Sequence, residues 1–193
     1  MTAPSPNPFG RAGPWTELEY LALGETPTRI ELIDGRLRQS PLRNVAHQAI
    51  SHLVRTSLGP SARAADLKIF GGINVRVGSD RILIPDLAVV RLRDRTAIVV
   101  DAADVILIGE VVPTGHVAVD YGHERRALWR SGKVDSYLLI EPRTPDYDGL
   151  SLHLFRLGEG NEYTEAARAE PGGALVTDMP FRINLGTDGF IDF

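Results

Sequence analysis

Two nearly continuous apolar runs, residues 82–90 and 105–112, occupy the middle of the sequence, and each is broken once by an acid. The break is Pro85-Asp86 in the first run and Gly109-Glu110 in the second. Apolar runs of this length without alternation suit strands covered on both faces. An ionised carboxylate in such a strand is costly unless it is paired or coordinated. Neighbouring strands lie about 4.8 Å apart, so acids on adjacent strands can converge. Two like charges that close need a cation or a shared proton. Carboxylate oxygens with water are the donors that Mg²⁺ prefers. The plainer alternative is that each acid is solvated at a strand end or paired with an arginine. Spacing alone leaves both readings open.

The flanking sequence predicts the layers that would cover these strands. Thr16 and Glu19 have capping-box spacing ahead of a short helix over 16–23, which Gly24 and Pro27 end. Asp34-Gly35 supplies the positive φ angles of a tight turn between strands 29–33 and 36–40. A long helix is predicted over 45–58, with Asn44 as N-cap, His47 in the first turn and Gly59-Pro60 as stop. Ile73, Val75 and Val77 alternate as in a half-exposed strand. A second long helix is predicted over 120–131 with Asp120 as N-cap. Strands at 137–140 and 152–157 should pair, and 163–169 and 181–185 read as peripheral β structure. This order predicts an α/β fold, a mixed β-sheet core flanked by helices, with an N-terminal helix and β-hairpin.

The chain has 193 residues, which suits one domain over 15–193 after a flexible, proline-rich tail over 1–14. It has no cysteine, so disulfides and thiolate metal sites are excluded, and a cytoplasmic setting is expected. No stretch is long and apolar enough for a membrane span. The net charge of −4 argues against a broad basic surface for nucleic acid, though not against a nuclease with an acidic metal site. Of the 21 basic residues, only Lys68 and Lys133 are lysines.

Several motifs in order carry a resemblance. They are Ile30-Glu31-Leu32-Ile33-Asp34-Gly35, His47-Gln48, Pro85-Asp86, Gly109-Glu110-Val111-Val112-Pro113, a helix from about Asp120, and Tyr137-Leu138-Leu139-Ile140-Glu141-Pro142. Together they resemble the Uma-type “putative restriction endonuclease” family of the PD-(D/E)xK nuclease superfamily, over roughly residues 15–185. The resemblance implies a restriction endonuclease-like fold and metal-dependent hydrolysis of DNA phosphodiesters, with a homodimer as the expected assembly. It implies that Asp86 and Glu110, with the backbone carbonyl of Val111, hold Mg²⁺ or Mn²⁺. Glu31 would add an acid beside the metal, and His47 would stand at the head of the first core helix.

The departures bear on chemistry. Val112 stands where the superfamily has a lysine two residues after the glutamate. In the resembling family a lysine on the following helix takes over, and here the nearest matches are Glu124-Arg125-Arg126. Arginine can stabilise phosphate charge with its planar fork, but it does not readily give up a proton. The loop after the glutamate is altered to Pro113-Thr114-Gly115-His116. A nuclease-fold protein without catalysis, acting as a binding or regulatory module, is therefore the alternative function. His116 and His123 read as loop or surface residues, and Tyr121 and Trp129 as core. Arg36, Arg38, Arg43, Arg55 and Arg63 are either a phosphate track or a solvated surface.

Overall fold

The computed structural model describes residues 14–40, 43–113, 118–143 and 145–189, with side chains from 121 onward in the third helix. The proposed tail up to residue 13 and the altered loop at Thr114-Gly115-His116 lie outside these residues. Helix α1 (Glu17–Leu21) opens with the predicted capping box: Thr16 and Glu19 bond each other's backbone N–H groups. The hairpin β1 (Ile30–Ile33) and β2 (Arg36–Gln39) turns at Asp34-Gly35, with φ of 51° and 72°.

Helix α2 spans Val45–Ala64, capped by the Asn44 side chain at the His47 amide. It runs through the predicted stop at Gly59-Pro60. Pro60 faces solvent, while Leu58, Gly59 and Ala62 are buried, so packing of the inner face outweighs the hydrogen bond that proline cannot make. The chain turns only at Asp66, where φ is 57°. Five strands follow: β3 (Lys68–Phe70), β4 (Val75–Gly78), β5 (Arg81–Leu83), β6 (Leu87–Val90) and β7 (Val100–Asp101). A 3₁₀ turn then leads into β8 (Val105–Val111). Helix α3 (Ala118–Ser131) begins ahead of Asp120, so that residue lies within the helix and is not its N-cap. The C-terminal part holds β9 (Ser136–Pro142), β10 (Leu150–Leu157), β11 (Tyr163–Ala169), β12 (Ala174–Thr177) and β13 (Ile183–Gly186). Strands β3 and β12 carry no clear sequence signal, being short and mostly exposed or half-buried.

The strands form a six-stranded sheet ordered β11-β10-β9-β8-β6-β3 and a five-stranded sheet ordered β2-β1-β5-β4-β7, with β12-β13 as a separate pair. The large sheet is mixed: β8 and β9 run parallel, and its other pairs are antiparallel. It is covered on both faces, as its unalternating apolar strands require. Leu87, Val89, Leu107 and Val111 pack toward Ile50, Val54 and Leu58 of α2. Ala88, Val90 and Ile108 pack toward Trp129 of α3 and toward Val75 and Val77 of the smaller sheet.

The run 82–90 does not make one strand. It divides between the two sheets, with Ile84-Pro85-Asp86 as the crossing. Proline cannot donate to a ladder, and that break lets one chain serve both sheets. Among the described residues, no helix is long and apolar enough to cross a membrane.

Candidate active site at the junction of the two sheets

Strands β6 and β8 pair with Leu87 opposite Gly109. One more step along that register sets Asp86 across from Glu110, and the Val111 amide donates to Asp86 Oδ2 at 2.9 Å. The register needs a glycine before the glutamate: a Cβ on Gly109 would lie 2.6–2.9 Å from the Leu87 side chain. From the smaller sheet, β1 supplies Glu31, which accepts the Ile84 amide at the crossing at 2.7 Å. Three acids thus meet where the sheets join, with exposures of 2% (Glu31), 8% (Asp86) and 0% (Glu110).

Three guanidiniums hold the three acids, and two of the acids share one of them. Arg125, about two turns into α3, donates through Nε and Nη2 to Glu110 Oε1 at 2.9 and 2.5 Å. Its Nη1 and Nη2 also grip Glu31 in a fork at 2.9 and 3.0 Å. Trp129, one helical turn on, places its ring 5.6 Å from the Arg125 guanidinium and donates its indole N–H to Glu110 Oε1 at 3.2 Å. The Tyr121 hydroxyl donates to Glu110 Oε2 at 3.2 Å. Asp86 Oδ1 receives Arg29 at 2.8 Å and Arg43 at 3.1 Å. His47 Nε2 lies 3.2 Å from Asp86 Oδ2, out of line for a hydrogen bond. Arg29 also lies 3.6 Å from Glu31.

The electrostatics follow from burial against these partners. For Asp86, burial raises the pKa, but contact with His47 and the charges of Arg43 and Arg29 outweigh it and hold the carboxyl well below the usual range. Burial likewise works against ionised Glu31, yet the charge and hydrogen bonds of Arg125, with Arg29 and the Ile84 amide, bring its pKa down. For Glu110 burial prevails, and the carboxyl is pushed up despite Arg125. Burial, then Glu110, pushes the Tyr121 hydroxyl far above its ordinary value.

The donor set does not fit a divalent cation in this arrangement. Glu31, Asp86 and Glu110 contribute three negative charges, and Arg29, Arg43 and Arg125 return three positive ones. A dication bound to Asp86 and Glu110 would have to displace these guanidiniums or sit against them. The adjoining cavity, about 70 Å³, is lined by Arg29, Arg38, Arg43 and Arg125 together with Glu31 and Tyr121. Among the described residues, no group of three or more His, Asp or Glu side chains is arranged to hold a metal. Val111 meets Asp86 through its amide, and its strand pairing is with Ile140 of β9.

The structure brings together Glu31, His47, Asp86, Glu110 and Arg125. His123 is exposed on α3. Of the scattered arginines, Arg43 and Arg55 line a cleft of about 590 Å³ with Arg29, His47, His52 and Asp86. Arg38 instead pairs with Glu124, and Arg36 and Arg63 are exposed. Sequence reading missed Arg29, although its i, i+2 relation to Glu31 puts both on one face of a strand. It also missed the His47-Ser51-Arg55 series, whose spacing of four lines them along one face of α2. Tyr121 and Trp129, read as core, touch Glu110 as well.

A crystal structure described as a putative nuclease belonging to DUF820, from Anabaena variabilis, matches this chain with a TM-score of 0.69 at 18% identity. The match covers 92% of this chain and 98% of the other, and at that identity the likeness is one of fold. No curated protein matches the chain. The Uma2 family, described as “Putative restriction endonuclease”, matches residues 16–187, and the chain belongs to that family.

Proposed function

We propose that this protein binds the phosphodiester backbone of DNA on a nuclease fold and does not carry out metal-dependent hydrolysis. The observation that supports this reading is the charge balance of the junction, where Arg29 and Arg43 hold Asp86 and Arg125 holds both Glu31 and Glu110. Arginine keeps its proton at any physiological pH, so these cations cannot be discharged to admit a metal. The same groups suit an anionic ligand. Arg29 Nε and Arg43 Nε and Nη1 are buried without hydrogen-bond partners, and both residues line the cleft that Arg55 and His52 also line. Buried donors left unpaired are costly, and phosphate oxygens are acceptors that would satisfy them. A local basic cleft can bind DNA even though the chain as a whole is acidic.

Two measurements test the reading. Fluorescence anisotropy with a labelled duplex across a salt series should show binding that weakens as salt rises. Arg55→Ala should weaken it for all sequences and reduce the salt slope by about one. Plasmid incubated with Mg²⁺ or Mn²⁺ should remain intact. No salt-dependent binding, or no effect of Arg55→Ala, would refute the assignment of the cleft.

The second reading is a metal-dependent DNA endonuclease in which Asp86, Glu110 and the Val111 carbonyl hold Mg²⁺ or Mn²⁺. Family membership favours it, since restriction endonuclease-like families generally use divalent metals. Cleavage by the wild type that disappears in Asp86→Ala would establish this reading and remove the first. In either case we propose a symmetric homodimer, the commonest soluble oligomer. A monomeric mass in light scattering would exclude it.

A further inference from the structure

The phosphate cleft adjoins a second cavity, of about 540 Å³, with which it shares Pro27, Thr28, Arg29 and Gly72. That cavity shares Gly72, Asn74 and Ile98 with a third of about 440 Å³. Gly72 lines all three. It has a φ of +67°, the left-handed backbone that favours glycine, and a Cβ built there would meet nothing within 4 Å.

Character changes from one cavity to the next. The cleft carries Arg43, Arg55, His47 and His52. The second cavity has Leu23, Ile84 and Ile98 in its lining beside the polar Glu25 and Asn74, and the third has Phe70, Leu92 and Ile98 beside Asp94 and Arg95. Ile98 is 68% exposed, one of the few large apolar side chains so placed among the described residues. Arg29 lines both the basic cleft and the second cavity, and its Nε is buried without a partner.

We propose that the basic cleft and the cavity beside it together hold an unpaired nucleotide, with its phosphate among Arg29, Arg43 and Arg55 and its base in the adjoining, more apolar cavity against Ile98. Both ends contribute to the choice of ligand. A basic subsite beside a cavity of 540 Å³ with apolar and polar lining matches a phosphate linked to a flat ring with an apolar face and a polar edge, and the volume lies in the usual range for small-ligand pockets, about 300–1,000 Å³. A base within a duplex is stacked and paired, so it cannot enter such a cavity until it is extruded or the strand is single. Contact of a base face with the aliphatic Ile98 leaves the hydrogen-bonding edge unread, so it does not distinguish one base from another. The ligand is thus single-stranded DNA, or duplex DNA with an extruded or frayed nucleotide, in preference to intact duplex.

This inference rests on the phosphate-binding reading of the cleft, and the experiment separates the two. Anisotropy would compare a labelled single strand, a duplex with one unpaired nucleotide, and the matched duplex, at fixed salt. The wild type should favour the two ligands with an unpaired base by at least about tenfold. Ile98→Asp and the uncharged Ile98→Ser should each abolish that preference, while Arg43→Ala should weaken all three ligands. Because Ile98 is largely exposed, both of its variants should keep the wild-type melting temperature. Equal affinity of the wild type for all three ligands, or a preference that survives in both Ile98 variants, would overturn the inference while leaving phosphate binding intact. Binding to none of them would overturn both.

Discussion

Arg125 delivers one fixed charge and a planar fork of donors to two buried acids from different sheets, Glu31 of β1 and Glu110 of β8. Removing one partner from such a buried network leaves charges without compensation, which typically costs about 3–5 kcal/mol. Arg125→Ala should therefore lower unfolding stability by about 3–5 kcal/mol in urea titration. Arg125→Lys should lose less, because it keeps a charge but not the fork. It should also bind Mn²⁺ more tightly than the wild type, as read by electron paramagnetic resonance. A wild-type denaturation midpoint in Arg125→Ala would contradict the structural role given to this residue. The importance of Arg125 was legible from its place on the helix after the glutamate. Its second acid was not, because Glu31 precedes it by 94 positions and belongs to a separate sheet. Nor could spacing reveal that Asp86 draws its cations from Arg29 and Arg43.

At the scale of elements, the acids were found because they interrupted apolar strands, and the pairing of β6 with β8 brings them together. That pairing is close: Gly109 leaves no space for a methyl group against Leu87, which is itself fully buried. Overpacking at such a point costs about 1–3 kcal/mol, so Gly109→Ala should be destabilising by that amount in chemical denaturation. A neutral result would mean that Leu87 can move aside and the register is held elsewhere. The hairpin at Asp34-Gly35 and the cap at Asn44 were readable because turn and cap chemistry is local. The extent of α2 was not, since burial of Ala62 and Leu67 decides whether the helix continues past Pro60. The division of 82–90 between two sheets was hidden for a similar reason: an apolar run does not say which partner each half will find.

For the molecule as a whole, the junction sets the response to acid. Asp86 and Glu31 titrate below their ordinary values in the folded state. Their stabilising contribution is fully present above the unfolded pKa, about 4, and is lost as pH falls through the folded values. Glu110 has the opposite sign: its pKa is raised, so acidification relieves part of its cost. With two acids depressed and one raised, the melting temperature should fall as pH drops from about 5 to 2, and Asp86→Asn should flatten that decline. A melting temperature that rises over this range would mean that Glu110 dominates. The layered α/β plan and the mixed sheet were legible because periodicity reports what each strand faces. The smaller sheet was legible only in pieces, since its strands come from distant parts of the chain.

The bond from the Val111 amide to Asp86 Oδ2 makes one hydrogen a reporter on the junction. While Asp86 stays between its arginines, that amide is tied to a buried carboxylate and its exchange with deuterated solvent should be slow. An ion that captured Oδ2 would leave the Val111 amide without its acceptor and shift its resonance. A single backbone signal, followed by heteronuclear NMR as Mn²⁺'s diamagnetic counterpart Mg²⁺ is added, thus registers whether the arginines have yielded their place, whether or not any DNA is cut.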